Sequence, residues 1–360
     1  AAGTIFFSRT EAGARERVLA TVEAALAAQD LAALAWRDLP IRPEFLGDEA
    51  RAALPGMVQV VVRRPEALTV AEFERRLTLA RRAAERQSLA DGLDLYVVSL
   101  SARTIVYKGL LAGGDLASFY PDLANEAFET ALTIFHQRYS TNTAPTWTLA
   151  QPFRFLAHNG EINTVQGNRR WTVAREATLR GKGWGDRIPG LAPIIQEGGS
   201  DSTSLDNMLE GWEGRDDLDP ARRAFYEYHA PLMEPWDGPA GLSVSNGIVV
   251  GAALDRNGLR PARYRLTADG LLVVASEVGV LEPAGDETAV VLESGRLGPG
   301  QMIAVDLEEQ RILRHDEIIG ELAARYPYAE WVKARHLAID SQQTADGEVA
   351  DLDAAEVLRL

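Results

Sequence analysis

The 360-residue chain contains no cysteine. Disulfides, thiolate-bound zinc and iron–sulfur ligation are thereby excluded for these residues, as is any cysteine nucleophile among them. Histidine is scarce as well, and the five present are scattered with no metal-ligand spacing. His-Glu-x-x-His, Gly-x-Gly-x-x-Gly and Gly-x-Ser-x-Gly are all missing, which removes sequence support for zincins, dinucleotide folds and serine hydrolases. Purely apolar runs are short: Ile248 to Val250 with Ala252 to Leu254 falls far below the ~20 residues of a membrane span, so none is expected. The opening Ala1 to Phe7 lacks a basic segment and a long apolar core, so it does not read as a secretory signal and a cytoplasmic location is the expectation. Basic charge is also in deficit. Fifty-two acidic against 37 basic residues give a net charge of −15 and a pI near 4.9. That balance opposes capture by phosphate backbones or anionic lipid, so nucleic acid is not an expected partner.

What is present is an ordinary globular composition, 46% hydrophobic and 25% charged, with no internal repeat and no Pro/Ser/Gly-rich linker. One large domain over residues 1–337 is expected, followed by a linker-like acidic tail over 338–360. Thr4 to Ser8 reads as a strand. Arg15 to Gln29 has apolar residues at helical spacing. Met57 to Val62 is β-branched and strand-like, Val70 to Gln87 reads as a charged amphipathic helix, and Leu93 to Leu100 with Thr104 to Lys108 reads as a hairpin. Further strands are expected at Ala131 to Phe135, Phe153 to Ala157, Leu242 to Ala253, Ala262 to Leu266, Leu271 to Ser276, Thr288 to Leu292 and Gln301 to Asp306. Helices are expected at Val165 to Leu179, Ser202 to Leu209 and Pro220 to Tyr228. The class is α+β, and the order suits sheets covered by helices.

Polar residues gather where strands end. His136 to Thr143 places Arg138, suited to bidentate carboxylate recognition, just beyond an apolar run; a salt-bridged Arg and a buried His are the plain alternative. Phe153 to Glu161 runs into Asn159-Gly160, which by spacing is a type I′ hairpin turn, or else an amide and a backbone N–H aimed at a developing oxyanion. Gly198-Gly199-Ser200-Asp201-Ser202 precedes a helix and supplies N-cap residues, or else an acid poised for a ligand ammonium. Asp255 to Pro261 and Trp236 to Gly241 read as turns between strands.

Together and in this order, these stretches resemble the class II glutamine amidotransferase (glutaminase) domain of glutamate synthase large subunits. The similarity is carried by His136 to Thr143, Leu149 to Thr164 with Gly167-Asn168 and Trp171, Gly198 to Asn207, Glu234 to Gly238 and Asp255 to Tyr264, and it extends to about Val332. The resemblance implies the Ntn-hydrolase fold, a four-layer αββα sandwich, here N-terminally truncated. It implies hydrolysis of the L-glutamine amide by an N-terminal Cys, with ammonia passed to an FMN site elsewhere that converts 2-oxoglutarate to glutamate. By motif, Arg138 would clamp the substrate α-carboxylate, Asp201 would accept its α-ammonium, and Asn159 with Gly160 would form the oxyanion hole. FMN, an iron–sulfur cluster and a small NADPH-oxidising subunit or ferredoxin would belong to the parent enzyme, with no cofactor or metal in this chain.

Two departures stand out. The Cys-bearing segment that precedes the resemblance in the family is missing here, and so is a stretch between Leu209-Glu210 and Gly211-Trp212. The expectations are therefore a chain inactive alone, or a non-catalytic glutamine-binding or regulatory module; an amidotransferase of another pathway is a weaker third. A sandwich missing strands is further expected to aggregate or to be only marginally stable.

Overall fold

A computed structural model describes residues 1–138, 144–176, 184–196, 198–210, 222–229, 234–277, 279–280 and 290–335. The expected tail at 338–360, residues 139–143 of the Arg138 motif and the junction after Glu210 lie outside the described residues. The chain divides into two compact units, one of residues 1–216 with 233–319, the other of 217–232 with 320–360. In chain order the strands are β1 (Ala2–Phe7), β2 (Ala33–Asp38), β3 (Gly56–Val62), β4 (Leu95–Ser101), β5 (Leu156–Gly160), β6 (Ala240–Ser245), β7 (Val249–Leu254), β8 (Arg263–Thr267), β9 (Leu272–Ala275), β10 (Val291–Arg296), β11 (Met302–Asp306) and β12 (Arg311–Arg314). The helices are α1 (Ala14–Ala27), α2 (Asp48–Ala52), α3 (Val70–Ala90), α4 (Leu116–Phe119), α5 (Val165–Glu176), α6 (Asp201–Glu210), α7 (Arg222–His229), α8 (His315–Ala323) and α9 (Tyr328–Arg335). The mixture is α+β, as expected, and no helix among the described residues is long and apolar enough to cross a membrane.

In the larger unit, four antiparallel strands run in the order β2-β3-β1-β4. Strand alternation sends Ile5, Phe7, Val58, Val60 and Val62 to one face, against Val18, Val22 and Leu26 of α1 and Phe73 and Leu77 of α3. Phe6, Met57 and Val98 point the other way, against Phe119, Tyr120 and Trp147. Polar side chains on that second face are hydrogen-bonded: the Gln59 amide donates to Thr4 Oγ1 at 3.1 Å. Both faces are thus dry, which is why β1 and β3 read as nearly continuous apolar runs.

Helix α3 forms where a charged amphipathic helix is expected, but it buries charged residues as well. Arg81 and Arg82 are 2% exposed. The segment 184–194 covers them, with Leu79 packing on Trp184, Ile188 and Leu191, and Arg86 donating to the carbonyls of Gly190 and Ala192. Arg81 can be buried because Glu85, one turn on, takes its guanidinium at 2.8 Å. Thr69 caps the helix by accepting the Glu72 N–H at 3.1 Å. The Glu72 carboxylate then gathers Arg187, Arg76 and Arg75, with Arg187 as close as 2.5 Å.

Two expected strands are absent. Thr104 to Lys108 forms no ladder with β4: the Val106 N–H goes to the Ser99 hydroxyl, and buried Lys108 donates to Tyr96 Oη and the Thr148 carbonyl. Burial holds the Lys108 ammonium well below its ordinary pKa. Ala131 to Phe135 is irregular and largely exposed, so alternation there finds no neighbouring strand to pair with.

The second sheet has five antiparallel strands in the order β12-β11-β7-β6-β5. One face carries α5 and α6, through Leu156, Leu242 and Val244 against Val165, Leu205 and Leu209. The other carries a three-stranded sheet, β10-β8-β9, through Ala252, Leu254 and Ile303 against Tyr264, Leu272 and Val274. In the smaller unit, Tyr328 of α9 is buried among Phe225 and Tyr228 of α7 and Trp331.

Asn159-Gly160 is not a hairpin turn; it closes β5, paired with Gly241 and Ala240 of a strand eighty residues on in sequence. Long-range pairing overrides the local turn preference. At Gly160 φ is 146°, and a Cβ there would lie 1.9 Å from the Pro239 carbonyl oxygen. Gly238 is pressed likewise, 2.0 Å from the Glu161 oxygen.

Two outcomes follow from these contacts. The arginines hold the Glu72 carboxyl at about 2, below its ordinary 4.5, so its stabilisation is fully present above pH ~4.5 and lost as pH falls through ~2. Acid denaturation of Glu72→Gln, followed by circular dichroism, should therefore be flatter than that of the parent across that window, from a lower plateau. Gly160→Ala should cost about 3 kcal/mol or more in urea unfolding, because a backbone oxygen cannot move aside and φ is unfavourable; a loss below about 1 kcal/mol would contradict that packing.

Candidate active site at the open end of β5

Strand β5 lies at an edge of its sheet, so half of its backbone groups have no strand to meet. Side chains take that part. Gln151 brackets His158, accepting its N–H at 2.7 Å and donating to its carbonyl at 3.0 Å. Asp206 of α6 accepts the Phe155 N–H at 2.9 Å, and Arg154 donates to Asn207 at 2.5 Å. One turn and a half earlier on the same helix, Asp201 Oδ2 accepts the Ile162 N–H at 3.0 Å. α6 therefore grips β5 before and after the strand. Ser200 caps the helix, its hydroxyl accepting the Thr203 N–H at 3.0 Å, so the capping reading of this loop holds.

Because His158 turns its backbone outward to Gln151, the neighbouring Asn159 pairs inward with Gly241, and alternation directs the Gly160 N–H to the open side. The Ala240 N–H and carbonyl, opposite Gly160, go instead to Asp255. Side chains alternate too: His158 lies on the α6 face and is buried, whereas Asn159 faces the side that carries the three-stranded sheet and is exposed.

His158 Nδ1 lies 2.8 Å from Ser202 Oγ, and that hydroxyl donates to Asp201 Oδ1 at 3.1 Å. The single hydroxyl proton is thus committed, so the relay assigns the imidazole proton to Nδ1 and leaves Nε2 bare. Burial lowers the His158 pKa, with the Asp201 carboxylate opposing it, so the ring is neutral near pH 7. Asp201 also accepts the Ser202 N–H at 2.7 Å. A carboxylate offers about four acceptor sites; three are occupied here, leaving one.

The structure places the sequence-derived residues unevenly. Asp201 and Gly160 meet at the same strand end, Asp201 through Ile162. His136 abuts the His158 backbone and its pKa is lowered by burial. Arg138, two residues on, is exposed, its N–H donating to His136 Nδ1 at 3.3 Å, and its guanidinium has no ion pair among the described residues. The Glu234 and Asp255 blocks also converge here: the Asn163 N–H donates to the Asp237 carbonyl at 2.8 Å, and Arg256 holds Asp237 with contacts of 3.0 and 2.7 Å. The turn reading of Asp255 to Gly258 is correct, Gly258 donating to the Asp255 carbonyl at 3.0 Å. Gln151, Ser202, Asp206 and Asn207 were not singled out as site residues; for the last three the cue was seven polar residues in the ten of α6, five of which are buried. No group of His, Asp and Glu among the described residues is arranged to hold a metal.

Comparison with known proteins bears on the family. The family model of the class-II glutamine amidotransferases matches residues 1–211 and 209–331. The chain is 39% identical over 372 residues to the glutamate synthase [NADPH] large chain of Bacillus subtilis, covering 97% of this chain and 24% of that one. It is 42% identical over 380 residues to ferredoxin-dependent glutamate synthase 2 of Synechocystis, covering 99% of this chain and 24% of that one. The chain thus spans about a quarter of the length of these curated relatives. Among solved structures, an allosteric regulatory enzyme of purine biosynthesis is similar at 21% identity and a TM-score of 0.27, over 50% of this chain and 34% of that one. Matched over nearly all of its described length, the chain belongs to the class-II glutamine amidotransferases.

Proposed function

We propose that this chain is the glutamine-recognising part of the amidotransferase domain of a cytoplasmic glutamate synthase. The observation that supports the reading is that the Gly160 N–H, directed to the open side of β5, and the Asp201 carboxylate, anchored on the Ile162 N–H, lie at one strand end, with His136 of the Arg138 block against the His158 backbone. Arg138 would bind the α-carboxylate of L-glutamine, and the remaining acceptor site of Asp201 its α-ammonium. The Gly160 N–H, directed to the open side, and the Asn159 amide would donate to the oxygen of the tetrahedral intermediate, each contributing about 2.7–4 kcal/mol. A Cys thiolate would attack the amide carbon, ammonia would leave, and water would release glutamate. Since the 360 residues hold no cysteine, that thiolate has to come from outside them.

The finer fold reading, a four-layer αββα sandwich, is supported in its helix-on-sheet pairs alone, α1 and α3 on one sheet and α5 and α6 on another. On this reading residues 1–337 form the domain and 338–360 lead towards the next. The relatives' length supports further synthase domains as partners, carrying FMN and an iron–sulfur cluster and fed by NADPH or ferredoxin. The absence of cysteine favours one second reading, a non-catalytic glutamine-binding module.

Two measurements test these roles. The chain alone should release no ammonia from glutamine above background in a coupled assay; turnover abolished by Asn159→Ala would mean that another nucleophile serves. Titration calorimetry should detect L-glutamine binding that Arg138→Ala weakens about tenfold or more, as loss of a charge-assisted contact implies. Unchanged affinity in that variant would remove Arg138 from the site.

A further inference from the structure

On the outward face of the three-stranded sheet, Arg263 of β8 stands directly opposite Arg296 of β10. Arg265, on the same face, stands opposite Ser294 and diagonal to Arg296. Like charges directly opposite in a sheet lie about 5 Å apart at Cβ and destabilise it. All three arginines are exposed, and none of their guanidinium groups has a hydrogen bond or ion pair among the described residues. Some other exposed arginines of this acidic chain do meet carboxylates, as Arg15 does with Asp38 and Arg311 with Glu309. The nearest acid on β10, Glu293, is committed to the opposite face, where it accepts from Tyr264 Oη at 2.7 Å and Arg314 at 2.5 Å.

These arginines border a cavity of about 310 Å³, with Ser294 beside them and Val273 and Ala275 of β9 along its floor. Among the described residues, Glu277 is the one carboxylate in its lining. The volume is at the small end of ligand sites, and guanidinium forks match carboxylate and phosphate oxygens. We propose that this face binds a small polyanion carrying at least two carboxylate or phosphate groups, which bridges Arg263 and Arg296 and is held also by Arg265. Its concavity and apolar floor fit a compact ligand. The site lies on a different sheet from the β5 end, so it neither requires nor tests the glutamine reading.

Thermal unfolding of the whole chain, with ionic strength matched by sodium chloride, decides the matter. Inorganic pyrophosphate and succinate serve as separate probes, and the better one identifies a phosphoryl or a dicarboxylate ligand. The preferred probe should raise Tm saturably, by about 2 °C at tenfold over its Kd. The Arg263→Gln/Arg296→Gln double variant should lose that rise while melting, without anion, no lower than the parent, because the opposed charges are gone. Arg265→Gln, which keeps the opposed pair, should weaken binding about tenfold. An equal rise in the double variant, no rise with either probe, or binding of a hexaglutamate peptide without response to the small anions would overturn the proposal, the last in favour of a protein partner.

Discussion

An edge strand in water hydrates its free backbone groups, but one end of β5 is covered by α6 and residues 151–155, so those groups need protein partners. This constraint organises the site. Gln151 acts as a substitute strand for His158, Asp206 receives Phe155, and Asp201 receives Ile162 just past the strand. Each bond removes the penalty of a buried unsatisfied group, about 1–3 kcal/mol, and together they leave Gly160 turned outward. The same hydrogen bonds that stabilise the strand thus set the direction of the Gly160 N–H, the donor proposed for the oxyanion hole.

The close approach of residues 160–163 and 237–240 follows from the same need. Once β5 ends, the chain still runs beside the entry to β6, and its N–H groups go to the carbonyls of Pro239 and Asp237. Only glycine at 160 and 238 lets the two backbones come that near. The Arg256–Asp237 pair fastens the turn after β7 to this crossing, so distant blocks act as one support. Being exposed at Arg256, that pair fixes geometry more than it adds stability.

The first sheet solves a different problem. Buried on both faces, it needs helices on one side and the aromatic cluster of Phe119, Tyr120 and Trp147 on the other. Its second face tolerates Thr4, Gln59 and Ser99 because each has a hydrogen-bond partner. Burial of charge on α3 is matched in the same way, through Glu85 and the carbonyls of 190–193. Apolar and polar burial are therefore separate tasks handled by separate neighbours.

Local pattern was enough for α1, α3, β1, β3 and the strand pair of residues 240–254, where periodicity and burial coincide. It missed β2, whose side chains are half-buried or exposed without alternation, and it invented strands at 104–108 and 131–135, where apolar residues meet no partner strand. For the site, residue identity named Asn159, Gly160, Arg138 and Asp201 and the family they resemble. Identity could not say that Asn159-Gly160 would close a strand instead of turning, since that depends on pairing with Gly241, far along the chain. Nor could it reveal the Asp201–Ser202–His158 relay or the Gln151 bracket. Residue identity sets which chemical groups these 360 residues carry, with no thiol among them; which of the groups meet depends on the fold, because hydrogen bonds between residues 40 to 80 positions apart are set by packing and not by neighbours in the chain.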